Sequence, residues 1–346
     1  MFVVTFHGGG SGTSTLCSYD DDGSGGQPYL SSATPPGPNG FRGVQFQPRQ
    51  AGGAYYLVNS YKEKSQVLMV TPGGECSTFV NGVGTDGSGL VSVYHPYGMA
   101  FDDALEVLYL SNQDSNVVVR VYGPGTTIAG AVPGQPMPVN PALAALTTSP
   151  VFLPGTFVAS QVPLAPVPTA ITGAQGGLGA SKGSGMTVTT PANSVRGVAV
   201  TGGTLYVADE VCNLIRQYDT GSGAYLGAIA DPSGLVQSPV QLLANGGLLY
   251  ATVKPAGDGD ALVLEYDPAS QTLAAVVSCS KKNLNVKHPS GMTFDGSGNF
   301  YLADLDNKVV YRFDSSFVLT SGNPFLSSMP DNPEDILWVD DAWLSG

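Results

Sequence analysis

The stretch "HPSGMTFDGSGNFYLADLDNKVVYRFD", His288–Asp314, decides the fold, because "HPYGMAFDDALEVLYLSNQDSNVVVRVY", 95–122, repeats its order. His95, Pro96, Gly98, Met99 and Phe101 stand where His288, Pro289, Gly291, Met292 and Phe294 stand. Each copy opens with a short strand, turns through Gly or Asp, and continues in a second strand carrying an aromatic residue. Working outward, Gly43, Gly98, Gly197 and Gly291 open "GVQF", "GMAF", "GVAV" and "GMTF", and Gln241 and Asp335 hold the same place in "QLLA" and "DILWV". Second strands follow as "YYLVN", "LYLSN", "LYVAD", "LYATV", "FYLAD" and "AWLSG", which makes six units. Third strands such as "LIRQYD" and "VVYRFD", and weaker fourth ones such as "AYLGAIA" and "TLAAVVS", complete each unit.

Short apolar runs bounded by Gly, Asp, Pro and Ser, recurring at roughly 45 residues, predict four-stranded antiparallel blades that must stack in a ring to cover their faces. The expected fold is all-β, a six-bladed β-propeller occupying 1–346 as a single domain. The two ends of the chain complete the count. "DILWVDDAWLSG" reads as strands one and two of a blade and "FVVTFHGGGSGTSTLCSYD" as strands three and four, so N-terminal and C-terminal strands are expected to close the last sheet and leave no raw edge there. A start and an end inside one blade also suit a domain cut from a longer protein.

The composition agrees. With 46 Gly, 26 Pro, 12% charged and 42% hydrophobic residues, the chain suits many short strands and tight turns, and 16 Tyr and 13 Phe supply a core that a disordered chain lacks. A formal charge of −13 repels phosphate backbones and acidic membranes, so neither nucleic-acid binding nor membrane insertion is expected. No apolar run reaches spanning length and no signal peptide is visible; the lysine-poor, Gly/Ser-rich surface favours an extracellular over a cytoplasmic setting. Cys17, Cys76, Cys212 and Cys279 are too scattered for a zinc knuckle or redox motif, and apolar strand settings point to free thiols over two disulfides.

"GMTFDGSGNFYLADLDNKVVYRFD" and "GVAVTGGTLYVADEVCNLIRQYD" resemble the NHL repeat: a strand opening on Gly, a Tyr-Val-x-Asp strand end, an Asn in the next turn and an apolar third strand. The resemblance implies a six-bladed propeller and is strongest over 95–122, 194–230 and 288–320. The pattern is not uniform. Asn307 lies six residues after Tyr301, but Asn116 and Asn213 lie seven after Tyr109 and Tyr206, and the unit at 239–278 has no acid or Asn three places after Tyr250.

Residues 123–193, rich in Pro, Ala, Gly and Thr, read as an insertion over one face of the ring. The alternative is a degenerate seventh blade, with "PVFLPGTFVAS" pairing as strands.

In such a blade the connection entering strand one and the turn between strands two and three share one end, here the upper. Asn59, Asn112, Asp209 and Asp304 fall at that end. They could ligate a cation, but Asp and Asn capping tight turns is the stronger reading. His95 and His288 enter strand one of opposite blades, while His7 is expected at the lower end, which leaves a three-histidine zinc site without its third ligand. The residues before each Gly position, Arg42, Tyr97, Arg196, Val240, Ser290 and Glu334, should ring the upper mouth of the channel. Arg42 and Arg196 flanking Tyr97 would suit an anionic group on a ligand, or would pair with carboxylates such as Glu334 or Asp102.

No GxSxG, HExxH, Walker or strand-to-helix GxGxxG motif is present. The expected function is a non-enzymatic scaffold binding a protein, peptide or glycan through upper loops and insertion, with Arg42, Tyr97, Arg196, Glu334, His95 and His288 as candidate ligand-binding residues. The alternative is a lyase or lactonase with a metal-assisted site in the mouth. No cofactor is expected, and a structural or catalytic divalent cation stays open.

Overall fold

The computed structural model describes residues 1–6, 15–31, 40–47, 53–60, 65–81, 96–112, 117–127, 130, 132–134, 152–153, 157–159, 195–210, 212–221, 225–254 and 259–340. They form six antiparallel sheets. Blade 1 runs Phe41–Gln47, Ala54–Asn59, Gln66–Val70, Cys76–Asn81; blade 2 begins Pro96–Asp102, Val107–Asn112, Val117–Tyr122. Blade 3 spans Val195–Thr201 to Tyr225–Ala228, and blade 4 Pro239–Asn245 to Thr272–Ser278. Blade 5 has Pro289–Phe294, Phe300–Asp304 and Val309–Phe313, with its fourth place taken by single bridges from Leu319 and Leu326. The first strand of each blade packs on the first strands of both neighbours, which closes the ring around an axis.

Blade 6 joins the ends of the chain, but differently from the two-plus-two division expected. Pro333–Trp338 supplies the innermost strand alone, and Phe2–Phe6, Thr15–Tyr19 and Gln27–Ser31 supply the other three. Burial explains the difference. Second strands sit between neighbouring blades and are buried on both faces, as in Ala54–Asn59, whereas third strands such as Leu214–Asp219 keep half-exposed positions. "FVVTF" is buried at every position and so takes a second-strand place beside Pro333–Trp338; "AWLSG" lies outside the described residues. The strand that precedes His7 therefore ends at the upper face, opposite Pro333, and not at the lower end as the sequence suggested; His7 itself lies outside the described residues.

Within the insertion, Phe157–Ala159 pairs with Val117–Tyr122 and with Phe152–Leu153. Within "PVFLPGTFVAS" the described residues Phe152–Leu153 and Phe157–Ala159 are thus strands, but at the outer edge of blade 2 and not in a seventh blade.

Every first strand carries a register shift at its upper end: between Phe41 and Val44, Pro96 and Met99, Val195 and Val198, Pro239 and Leu242, Pro289 and Met292, and opposite Thr5 and Phe6 in blade 6. An extra residue in a strand bends it and re-aims its side chains. The repeated Gly lies in that bulge because the next blade's backbone passes beside it: a Cβ built on Gly197 would stand 2.5 Å from the Leu242 nitrogen. Bulge groups find partners in strand two: the Ser111 hydroxyl accepts from Gly98 N at 2.7 Å, and the Thr252 hydroxyl accepts from Gln241 N at 3.0 Å.

Candidate functional site

The bulges bring four of the sequence-predicted mouth residues together. Tyr97, 5% exposed, lies between two guanidiniums: the Arg42 Cζ is 5.4 Å and the Arg196 Cζ 4.9 Å from its ring centroid. Each arginine also holds a carboxylate. Arg42 Nη1 donates to Glu334 Oε1 at 2.8 Å across the closure between blades 1 and 6, and Arg196 Nε donates to Glu210 Oε2 at 2.7 Å. Stacked, bidentate-capable guanidiniums favour aromatic faces in this way. Burial, with Glu334 adding to it, pushes the Tyr97 phenol well above its ordinary range. Asp102 is not a partner of either arginine; its Oδ1 accepts from Ala104 and Leu105 N in the lower turn of blade 2.

His288 stands at the upper rim of blade 5 with 27% of its side chain exposed and Nδ1 4.0 Å from Asp306 Oδ1. Burial, then the nearby Lys254, hold its pKa below the usual imidazole value, so it is neutral at pH 7. His95 lies outside the described residues. Among the described residues no three His, Cys, Asp or Glu side chains converge as metal ligands.

Two residues of the column at the ends of the second strands, Asp304 and Asp209, cap the turns that follow them. Asp304 accepts from Lys287 N, His288 N and Asn307 Nδ2 at 3.2, 3.1 and 2.6 Å. Asp209 accepts from Cys212 N at 3.2 Å and, through Oδ2, from Arg216 Nε and Nη2 at 2.9 and 2.7 Å. Asn59 is fully buried. The side chain of Asn112 lies outside the described residues. The cysteines are free thiols, and burial pushes Cys17 up to about 11 and Cys212 and Cys279 up to about 12, which keeps them protonated and unreactive.

Beneath the mouth, the two blades that lack the repeated Gly fill the axis. The Asp335 carboxylate accepts from Val44 N and Ile336 N, each at 3.0 Å, and from the Gln241 side chain. Thr5 donates its hydroxyl to the Arg42 carbonyl and accepts from Asp335 N at 3.1 Å. Asp335 therefore ties blade 6 to blades 1 and 4 while packing on Gly291 of blade 5. The sequence showed Gln241 and Asp335 as stand-ins for Gly; a carboxylate and an amide in a column of glycines was the available signal that the axis is plugged.

Burial pushes Asp335 up to about 7, with Glu334 adding to the shift, against about 3.9 in an unfolded chain. A carboxyl whose folded pKa is raised stabilises the fold fully below about pH 4 and loses that contribution as pH rises to about 7. Asp335→Asn is expected to remove this dependence. Unfolding free energies from urea titrations at pH 5 and pH 8 should differ more for wild type than for the variant, by about 2–3 kcal/mol; parallel changes in both proteins would refute the assignment.

No protein-family description matches the sequence, and no curated protein matches it either. Solved structures do. A chain of the nidogen/laminin complex aligns at 13% identity over 97% of this chain and 97% of that one, with a TM-score of 0.58. Streptogramin B lyase aligns at 10% identity over 98% and 88%, TM-score 0.53. A periplasmic gluconolactonase of Pseudomonas aeruginosa aligns at 14% identity over 98% of each, TM-score 0.51. At these identities the likeness is one of fold.

Proposed function

We propose that the chain is a non-enzymatic propeller scaffold, of the NHL kind, that binds a protein, peptide or glycan through its upper connections and the segment 123–193. The mutual pairing of the mouth residues carries this reading. A substrate entering from above would have to part Arg42 from Glu334 and Arg196 from Glu210, and separating the first of these pairs, which is largely buried, costs several kcal/mol. A partner laid across the face uses them as they stand. Arg196 and Glu210 keep 19% and 26% of their side chains exposed beside the stacked Tyr97, and His288 keeps 27% at the rim of blade 5; the stacked ring and arginine are a floor of the sort that anchors interfaces. The nidogen/laminin neighbour, a propeller in a protein complex, is consistent with it. Nucleic acid is a poorer fit: the upper lysines Lys254, Lys281 and Lys287 alternate with Asp231, Asp260 and Asp306.

The second reading, a metal-assisted lactonase or lyase in the mouth, draws on the neutral His288 at the rim and on the fold shared with a gluconolactonase and a lyase. Two assays separate them. Aldonolactone hydrolysis with added calcium, manganese or zinc is expected to stay at the uncatalysed rate, while arrayed glycans or laminin fragments should bind saturably and at least tenfold more weakly to Arg196→Ala/Glu210→Ala. Metal-dependent turnover lost in His288→Ala would transfer the assignment to the enzyme.

A further inference from the structure

The two ends of the propeller differ in charge. Every described lysine, Lys254, Lys281, Lys282, Lys287 and Lys308, lies in upper connections of blades 4 and 5. Among the described residues the lower connections hold no lysine or arginine, and the Met1 amino group there is bound by Asp21. They hold carboxylates in several blades, including Asp22, Glu75, Asp267, Asp295 and Asp314. The repeat itself produces this: Asp267, Asp295 and Asp314 each accept from a backbone N–H two residues on, at 2.8, 2.9 and 2.9 Å, so one turn chemistry used blade after blade stacks negative charge on one end. The Ser270 hydroxyl first, then the Ala269 N–H, hold Asp267 below the usual carboxylate range, and against the opposing effect of burial the Asn299 side chain and N–H hold Asp295 below it as well.

Within that face, between blades 1 and 2, lies a recess of about 280 Å³ lined by Gln47, Phe101, Asp102, Asp103, Glu106 and Gly123. A second recess of about 230 Å³ shares Gln47, Phe101 and Asp103 with it and continues along the axis past Met99, Val198 and Leu242. One side is therefore acidic and the other apolar. Asp102 is 6% exposed, and while its Oδ1 caps the turn, its Oδ2 accepts no hydrogen bond among the described residues. A largely buried carboxylate side chain in the recess, beside an apolar wall, matches a cationic head carried on an apolar stem.

We propose that this lower recess binds an arginine or lysine side chain of a basic partner peptide, with the stem against Phe101 and the head on Asp102, and that the surrounding acidic face draws the peptide in. The charge field accounts for approach and the recess for register. The recess lies at the opposite end from Arg196, Glu210 and His288, so either set of residues can fail without the other, although Gly123, where the segment 123–193 begins, lines the recess.

The test uses the full chain and a fluorescein-labelled octapeptide with two arginines in a leucine and glycine background, beside its citrulline counterpart of the same shape without charge. Anisotropy titrations at 50 and 300 mM NaCl should show saturable binding of the arginine peptide, weakened by added salt, and at least tenfold weaker binding of the citrulline peptide. Asp102→Asn keeps an oxygen to cap the turn, so it should leave the melting temperature unchanged and weaken binding at least tenfold; Asp306→Asn, at an exposed carboxylate on the upper face, should change nothing. Equal binding of the two peptides, or full binding by Asp102→Asn, overturns the proposal. So does binding that emerges only in Arg49→Gln, because the recess would then belong to the chain's own connection 48–52.

Discussion

A chain ended after Asn332 is expected to lose its cooperative unfolding transition. The removed segment contributes the innermost strand of blade 6, in which Pro333, Glu334, Asp335 and Ile336 are buried and which pairs along Phe2–Phe6. With it go the Arg42–Glu334 pair, the axial tie of Asp335 to Val44, and the cover over the Phe2, Val4 and Phe6 cluster. Buried aliphatic and aromatic side chains are worth about 1.5–3 kcal/mol each. Loss of Ile336, Val339 and the packing of Trp338, together with the ladder, thus approaches the roughly 5–15 kcal/mol total typical of a native domain. The truncated chain should show a broad transition and bind a hydrophobic dye. Adding a synthetic 333–346 peptide should restore the transition, and the same peptide with Ile336→Asp should not. A truncated chain that melts as sharply and as high as wild type would mean that the ring does not depend on its C-terminal strand.

The second large effect belongs to blade 3. Asp209 and Arg216 are 1% and 3% exposed and bonded at 2.7 and 2.9 Å, so Asp209→Ala leaves a guanidinium buried without its carboxylate. Losing one member of a buried pair costs about 3–5 kcal/mol. The urea midpoint should fall accordingly at unchanged m, and replacing both residues, as Asp209→Leu with Arg216→Met, should recover most of the loss because no charge then remains desolvated. A single variant costing under about 1 kcal/mol would show that water reaches the pair.

What the sequence made legible was whatever the repeat wrote in register. Gly43, Gly98, Gly197 and Gly291 marked the first strands because a neighbouring backbone crosses beside them, and that same column led to Arg42, Tyr97, Arg196 and Glu334. Asp209 and Asp304 were readable as turn caps for the same reason. Partnerships across blades were not readable. Arg42 meets Glu334 and Thr5 meets Asp335 over separations of 292 and 330 residues, and no local spacing encodes either. The strand division of blade 6 is not readable from pattern alone, because "AWLSG" resembles a second strand while the deciding property, burial on both faces, belongs to "FVVTF". The lower recess is not legible in the sequence because Gln47 and Asp102 come from different blades and Asp102, which repeats as Asp295, reads only as a turn cap.

The account depends on the two ends of the chain sharing one sheet in a defined register, Val3 opposite Leu337 and Val4 opposite Ile336. The most direct measurement combines Val3→Cys with Leu337→Cys in a background whose four native cysteines are replaced by serine or alanine, followed by mild oxidation of the folded protein and mass spectrometry of its peptides. The predicted result is a single crosslinked pair joining the first and last tryptic segments, formed without loss of the unfolding transition. Failure to form it in the folded protein, with the thiol introduced by Leu337→Cys instead captured by a cysteine placed in the outer strand Gln27–Ser31, would contradict the closure of the ring by these strands.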